Sequence, residues 1–322
     1  MEILHITNEF SKKNYSIASL IVHISKLLTA NVKNNVRILT TKLDVELFNN
    51  KNIIVVKFLT WIQFFFNRSE IKKNINSFEL IHIHGIWAPI QLVSIIYCNN
   101  YDKKFIIHPH GMLLDEALSS AGKIKYILKK ITLFLLKIFL NEKLHFVSIT
   151  RQETEAIMKY FPFSEIKEIP NTIPFELSNT HKEKKLKKFV YFGRIHPHKN
   201  VELLINSFDQ SNLDSEWSLE IYGIRDDEVY YKKLQKLIKH KKNIKIFNPV
   251  FGKERQDIMS SAWANILVSK SEVLSLSILE SAYYGLPTIT NKNIDLSNFK
   301  EFAVYSENAL SAISKNINEL SK

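Results

Sequence analysis

The chain has 322 residues, 45% of them apolar, enough for two α/β domains and too many for a disordered chain. Its one cysteine, Cys98, cannot close an internal disulfide and reads as a small buried hydrophobe rather than a catalytic thiol. The net charge of +12 is uneven, with 22 Lys and Arg against 14 Asp and Glu in residues 1–172, and 22 against 18 in residues 173–322.

The N-terminus, Met1 to Ile6, lacks a basic leader followed by an apolar core, so no signal peptide is expected. Apolar patterning predicts strands over Glu2 to Thr7, Val36 to Thr40, Ile53 to Phe58, Leu80 to His84, Phe105 to His108 and Leu144 to Ile149. Helices are predicted between them, over Ile17 to Leu28, Pro89 to Cys98, Lys123 to Leu140 and Arg151 to Tyr160, the last capped by Thr150. The most apolar stretch, Ile131 to Leu140, is too short to span a bilayer and is interrupted by Lys137.

Two prolines and an Asn in Ile169 to Pro174 mark a break, and a lysine-rich connection runs from Ser178 to Lys188. A second α/β series follows. Its strands are expected at Phe189 to Phe192, Ser218 to Tyr222, Ile244 to Phe247, Ile266 to Val268 and Thr288 to Thr290. Its helices are expected at Val201 to Asp209, Asp226 to His240, Arg255 to Ser261, Ser277 to Tyr284 and Leu310 to Leu320. Short apolar strands separated by helices imply parallel sheets covered on both faces. The expectation is two doubly wound, Rossmann-like domains, residues 1–172 and 173–322, facing each other across a cleft, with ligands beyond the carboxyl ends of the strands.

Two segments carry the chemistry. In Phe189-Val190-Tyr191-Phe192-Gly193-Arg194-Ile195-His196-Pro197-His198-Lys199-Asn200 a strand runs into Gly-Arg, with a lysine just before a helix. Glycine lets backbone approach a ligand, arginine offers a fork for phosphate oxygens, and lysine and the helix N-terminus add positive charge. These make an anion site suited to a diphosphate, although an arginine after a strand more often makes a surface ion pair. In the second segment Glu272 follows a strand and Glu280 lies eight residues on. The amides of Leu274, Ser275 and Leu276 open the intervening helix and can bind phosphate. A carboxylate accepts two hydroxyl hydrogen bonds, so one acid can hold a sugar and the other a ribose. The bland alternatives are N-terminal helix charge for Glu272 and a solvated face for Glu280.

These segments resemble the signatures of family 4 glycosyltransferases, which have the GT-B fold. Gly193, Arg194 and Lys199 match the strand-Gly-Arg-x4-Lys segment, and Glu272 and Glu280 the Glu-x7-Glu signature. His82-Ile83-His84-Gly85-Ile86-Trp87, Pro109-His110-Gly111-Met112-Leu113 and Ile169-Pro170-Asn171 are similar to three further family segments, in the family's order. The resemblance implies a retaining, metal-independent transferase with a nucleoside diphosphate sugar donor and no other cofactor. By it, Arg194 and Lys199 hold the diphosphate and stabilise the leaving group, Glu280 takes the ribose, Glu272 contacts the sugar, and His110 sits near the forming bond. His82 and His84 are expected only to shape the cleft. The sequence departs from the family at Lys13-Asn14-Tyr15-Ser16, where a Gly-Gly loop is usual, at Ser275 and Thr172, where glycine is frequent, and in its short C-terminus.

Two N-terminal segments point to a membrane. Phe58 to Arg68 places Trp61, Phe64, Phe65 and Phe66 near a cation, and Lys123 to Leu140 is an apolar helix with five lysines. A basic amphipathic helix suits anionic headgroups, although a core helix with its lysines outward fits the same residues. The preferred expectation is a cytoplasmic protein, peripheral on the inner face of the membrane, with a glycan or polyprenyl-linked acceptor, acting in lipopolysaccharide or capsule assembly. The alternatives are a degenerate partner subunit and a sugar-nucleotide epimerase of the same fold. Nucleic-acid binding is not expected, because the basic charge is diffuse and no recognition motif occurs.

Overall fold

The computed structural model describes residues 1–30, 34–44, 53–55, 68–119, 122–140, 144–173, 185–292, 294, 303–307 and 310–321. The aromatic run at Trp61 and Phe64 to Phe66 lies outside them, as do Pro174 and most of the lysine-rich connection. The chain divides into two compact units, Met1–Phe175 and Glu176–Lys322.

In the first unit the strands are β1 (Glu2–Thr7), β2 (Glu9–Phe10), β3 (Asn35–Thr40), β4 (Lys42–Leu43), β5 (Ile53–Val55), β6 (Leu80–His84), β7 (Phe105–His108), β8 (His145–Ser148) and β9 (Glu165–Glu168). The helices are α1 (Tyr15–Ala30), α2 (Arg68–Asn76), α3 (Pro89–Asn100), α4 (Asp115–Ser119), α5 (Lys123–Phe139) and α6 (Arg151–Tyr160). Seven strands form a parallel sheet in the order β5-β3-β1-β6-β7-β8-β9, and β2 pairs with β4. Where a sequence has period 2, alternate side chains take opposite faces. Ile81 and Ile83 therefore join the main core with Ile90, Ile95, Leu133, Leu136 and Ile157, while His82 and His84 face the other way. Right-handed crossovers explain the asymmetry. The chain steps rightward from β6 to β9, which puts α3, α5 and α6 on one face. It steps leftward from β1 to β3, which puts α1 on the face that carries the histidines.

In the second unit the strands are β10 (Lys188–Ile195), β11 (Ser218–Arg225), β12 (Ile244–Phe247), β13 (Ala264–Leu267), β14 (Thr288–Asn291) and β15 (Ala303–Ser306). The helices are α7 (Val201–Gln210), α8 (Glu228–Ile238), α9 (Gly252–Ser261), α10 (Leu276–Tyr283) and α11 (Leu310–Leu320). The sheet is parallel, in the order β12-β11-β10-β13-β14-β15. The central run of Phe189, Val190 and Tyr191 is fully buried, as a strand covered on both faces requires. β10 is longer than the sequence suggests. Gly193, Arg194 and Ile195 stay in register with Gly223, Ile224 and Arg225 of β11.

Candidate functional site

The second unit gathers most of the sequence-predicted residues at the carboxyl ends of β10 and β13. Lys199 closes a one-turn 3-10 helix, Pro197–Lys199, and Asn200 turns the chain into α7 with a left-handed φ of 56°. That turn aims Lys199 Nζ at Glu272 Oε1, with which it forms an ion pair. Both side chains are largely buried, and Ser269 Oγ donates a second hydrogen bond to Glu272 at 3.1 Å. Burial pushes the Glu272 carboxyl up, but Lys199 and Ser269 outweigh it and leave it below the ordinary glutamate value. His198 accompanies the pair, its Nε2 3.1 Å from the Ser271 carbonyl.

Arg194 reaches Asp226 at the end of β11, with Nη1 3.0 Å from Oδ2. It does form the ion pair that an arginine after a strand often makes, yet its side chain stays 42% exposed, so part of the fork is open to a ligand. Glu280 is the more buried of the two acids. Arg255 of α9 pairs with its Oε2 at 2.6 Å, and the guanidinium lies 4.5 Å above the Phe192 ring. Burial raises the Glu280 carboxyl above its usual range, against the pull of Arg255. Arg255 and Asp226 carried no motif, and only the fold reveals them as partners of the two signatures. Leu274, Ser275 and Leu276 lead into α10, whose cap, Ser275, spends its hydroxyl on Ser277 Oγ at 2.9 Å. The Ile278 amide already donates to the Ser275 carbonyl at 3.1 Å, and by helix geometry the amides ahead of it, of Leu276 and Ser277, have no intrahelical acceptor, which leaves them for an anion.

Gly193 has a structural reason to be glycine beyond the one the sequence suggests. A Cβ there would meet Tyr191 Oη at 2.5 Å. Tyr191 is fully buried, and its hydroxyl donates to the Arg194 carbonyl at 2.9 Å, so the ring is held. The glycine thus makes room for a tyrosine that fixes the backbone of Arg194. Gly193→Ala is expected to destabilise the protein by roughly 1–3 kcal/mol through overpacking. Denaturant unfolding checks this, and an unchanged midpoint would mean that Tyr191 gives way.

The first unit holds His110 on the turn after β7, with a left-handed φ of 53°. Glu153 of α6 holds this turn. It is fully buried, and its two oxygens accept the Gly111 amide at 2.5 Å and the Ile149 amide at 2.7 Å. Burial raises its carboxyl above the usual range, against those two hydrogen bonds. Around His110 the rings of His5, His82, His84 and His108 stack at centroid distances between 4.6 and 5.2 Å. They line a cavity of about 710 Å³ whose other walls include Leu20, Ile24, Phe146 and Ile166. Burial holds His82 and His110 down at about 4 and pushes His5, His84 and His108 well below the ordinary histidine value, so the cluster is neutral. The sequence reading took His82 and His84 as cleft-shaping alone, and had no signal for His5 or Glu153. Among the described residues no group of three or more His, Cys, Asp or Glu is arranged to hold a metal ion.

Residues 173–322 match the family model described as Glycosyl transferases group 1. No curated protein matches the chain in sequence. HepE of Anabaena, solved with UDP and glucose, has a TM-score of 0.76 at 14% identity, over 99% of this chain and 89% of that one. WaaG, described as a glycosyltransferase involved in lipopolysaccharide biosynthesis, has a TM-score of 0.71 at 11% identity, over 99% and 90%. The pneumococcal O-GlcNAc transferase GtfA, with UDP and GlcNAc, has a TM-score of 0.71 at 10% identity, over 100% and 95%. At such identities the likeness is one of fold. The match to the group 1 glycosyl transferase model covers the second unit, and the chain as a whole has the GT-B fold.

Proposed function

We propose that the protein is a retaining hexosyltransferase that moves a hexose from a nucleoside diphosphate sugar to a lipid-linked glycan in surface polysaccharide biosynthesis. The observation that carries this reading is the Lys199–Glu272 pair beside Arg194, at the sheet end that α10 opens onto. Arg194 and Lys199 supply fixed positive charge where the diphosphate leaves, so the reaction needs no metal for that purpose. Glu272 contacts the sugar, Glu280 takes the ribose hydroxyls, and the amides of Leu274 to Leu276 receive phosphate oxygens. His110 acts on the sugar. HepE was also solved with UDP-glucose, so UDP-sugars are the first donors to assay. Incubation with a panel of UDP-sugars and a membrane lipid extract is expected to release UDP and glycosylate a lipid fraction, with the anomeric configuration retained. Inversion, or no turnover with any donor, would overturn the reading.

The lipid acceptor rests on α5. One stripe of this helix, Ile124, Ile127, Leu128, Ile131, Phe134, Leu135, Ile138 and Phe139, is 44–77% exposed, while Leu133 and Leu136 on the opposite stripe are buried. No helix among the described residues is long and apolar enough to cross a membrane. An exposed apolar stripe flanked by Lys123, Lys125 and Lys137 suits the plane of an anionic membrane instead. Two other lysines of the helix, Lys129 and Lys130, are partly buried and engaged by the protein itself. Lys129 donates to the Ala117 carbonyl at 3.1 Å and lies over the Trp87 ring, and Lys130 donates to Tyr160 Oη at 2.8 Å. Flotation with anionic vesicles is expected at low salt, weakening as salt rises, since each surface lysine is worth on the order of 1 kcal/mol. Replacing Ile127, Leu128 and Ile131 by Ser is expected to abolish it without unfolding the protein. Equal flotation of that variant, or none by wild type, would leave the acceptor a soluble sugar or peptide.

A further inference from the structure

Three of the clustered histidines form a single hydrogen-bonded string. His110 Nε2 lies 3.0 Å from His84 Nδ1, and His84 Nε2 lies 2.9 Å from His5 Nδ1. A separate pair, His82 Nδ1 and His108 Nε2, lies alongside at 2.9 Å. Strand geometry produces the string. His5 stands opposite His82 in the β1–β6 register and His84 opposite His108 in the β6–β7 register, so like-facing rings stack diagonally across the sheet. The Gln91 amide holds the His84 carbonyl, and Glu153 holds the turn that carries His110.

A neutral imidazole has one N–H and one bare nitrogen, so each link fixes the next tautomer. Two proton orders satisfy the string. In one, every N–H points toward His5, and His5 Nε2 carries the last hydrogen. That nitrogen is buried and has no hydrogen-bond partner among the described residues, so this order would leave a buried donor orphaned. In the other order every hydrogen sits on Nδ1: His5 donates to His84, His84 donates to His110, and His110 Nδ1–H points away from the string. Only a bare nitrogen is then left unpaired at His5, the more tolerable orphan.

We propose that His5 and His84 are positioning residues that lock His110 as a neutral Nδ1–H donor, presented to an oxygen of the bound donor sugar or acceptor. The proposal rests on the transferase reading for the identity of that oxygen, but its geometry belongs to this unit alone. It also gives His110 one of two possible tasks. With its Nε2 lone pair taken by His84, the ring offers a hydrogen bond to oxygen rather than a base to abstract a proton. The Nδ1–H form is the minor tautomer of a histidine side chain in water, so the protein has to impose it.

The test is nitrogen-15 NMR of histidine-labelled full-length protein at neutral pH, which tells the two tautomers apart by their two-bond couplings to the ring protons. The expected result is the Nδ1–H pattern at His5, His84 and His110. An Nε2–H pattern or an imidazolium at His110 would overturn the proposal, and this wild-type measurement needs no variant to fold. His84→Phe keeps a ring in the stack, removes both nitrogens and leaves His110 Nε2 without its donor. It is expected to move His110 toward the Nε2–H form that predominates in water and to lower kcat roughly tenfold, with the donor KM unchanged. An unchanged His110 tautomer in that variant would show that the string does not set it. Failure of all sugar nucleotides to turn over would instead remove the transferase reading and leave the tautomer result standing.

Discussion

Glu272→Gln is expected to lower kcat by about a hundredfold or more while leaving nucleoside diphosphate affinity unchanged or slightly higher. The structure separates the two effects. Glu272 is held by Lys199 and Ser269, and its carboxyl stays ionised because Lys199 offsets the burial. Glutamine keeps the shape and removes the charge. Lys199 then loses its intramolecular partner and becomes freer to meet a phosphate, so binding does not suffer. The sugar, however, loses the carboxylate proposed to orient it. His110→Ala is expected to behave alike, because its proposed role is toward the sugar and not the diphosphate. Steady-state kinetics with a nucleotide titration checks both. Wild-type turnover at saturating substrate in either variant would withdraw that residue's role.

The largest stability effect is expected at Arg255. Arg255→Met leaves Glu280 buried without its counter-charge, which at neutral pH costs about 3–5 kcal/mol. The loss carries a pH signature. Burial already puts the Glu280 carboxyl above its unfolded value despite Arg255. A group raised in the folded state favours folding below its unfolded pKa and ceases to do so as pH rises through the folded one. Without Arg255 the folded value rises further, so the gap to wild type widens toward neutral pH and narrows in acid, where a protonated Glu280 needs no partner. Denaturant unfolding of both proteins between acid and neutral pH reads this directly. A gap that is absent, or constant with pH, would mean that Glu280 is not relying on Arg255.

Much of this was legible in the sequence because parallel strands are short, apolar and bounded by turns. The strand starting at Glu2 and the helix capped by Thr150 fall where the pattern puts them, and the Thr150 hydroxyl does accept from the Glu153 amide. Two of the four edge strands of the two larger sheets, β9 and β15, escaped, while β5 and β12 lie within predicted strands. β9 reads Glu-Ile-Lys-Glu and buries almost nothing, so it has no apolar period to detect, and β15 is equally short. α2 and α4 also escaped, α4 because five residues are too few to show a helical period. For the site, the sequence supplied the residue types but not their partners. Lys199 with Glu272 joins residues 73 apart, Arg255 with Glu280 joins residues 25 apart, and Glu153 reaches Gly111 from 42 residues away. Such contacts depend on sheet order, which periodicity does not encode. The histidine string is the clearest case. His82 and His84 read as cleft-shaping residues until β1 brings His5 beside them, and only then is the hydrogen-bonded string from His5 through His84 to His110 visible. The outward stripe of α5 was hidden differently, since a helix apolar on two sides looks the same in sequence whichever side the sheet covers.

The central claim, that the ends of β10 and β13 hold a nucleoside diphosphate, is tested most directly by calorimetry on the full-length protein with a series of nucleoside diphosphates. Binding of at least one is expected, and Arg194→Ala and Lys199→Ala are each expected to weaken it by roughly 1.5–3 kcal/mol, the loss of a charge-assisted hydrogen bond. Both residues are already engaged, Arg194 by Asp226 and Lys199 by Glu272, so a folded variant isolates the loss of the ligand contact when its unfolding curve is measured alongside. Unchanged affinity in both variants for every nucleotide that the wild type binds, or no binding by the wild type, would contradict the account.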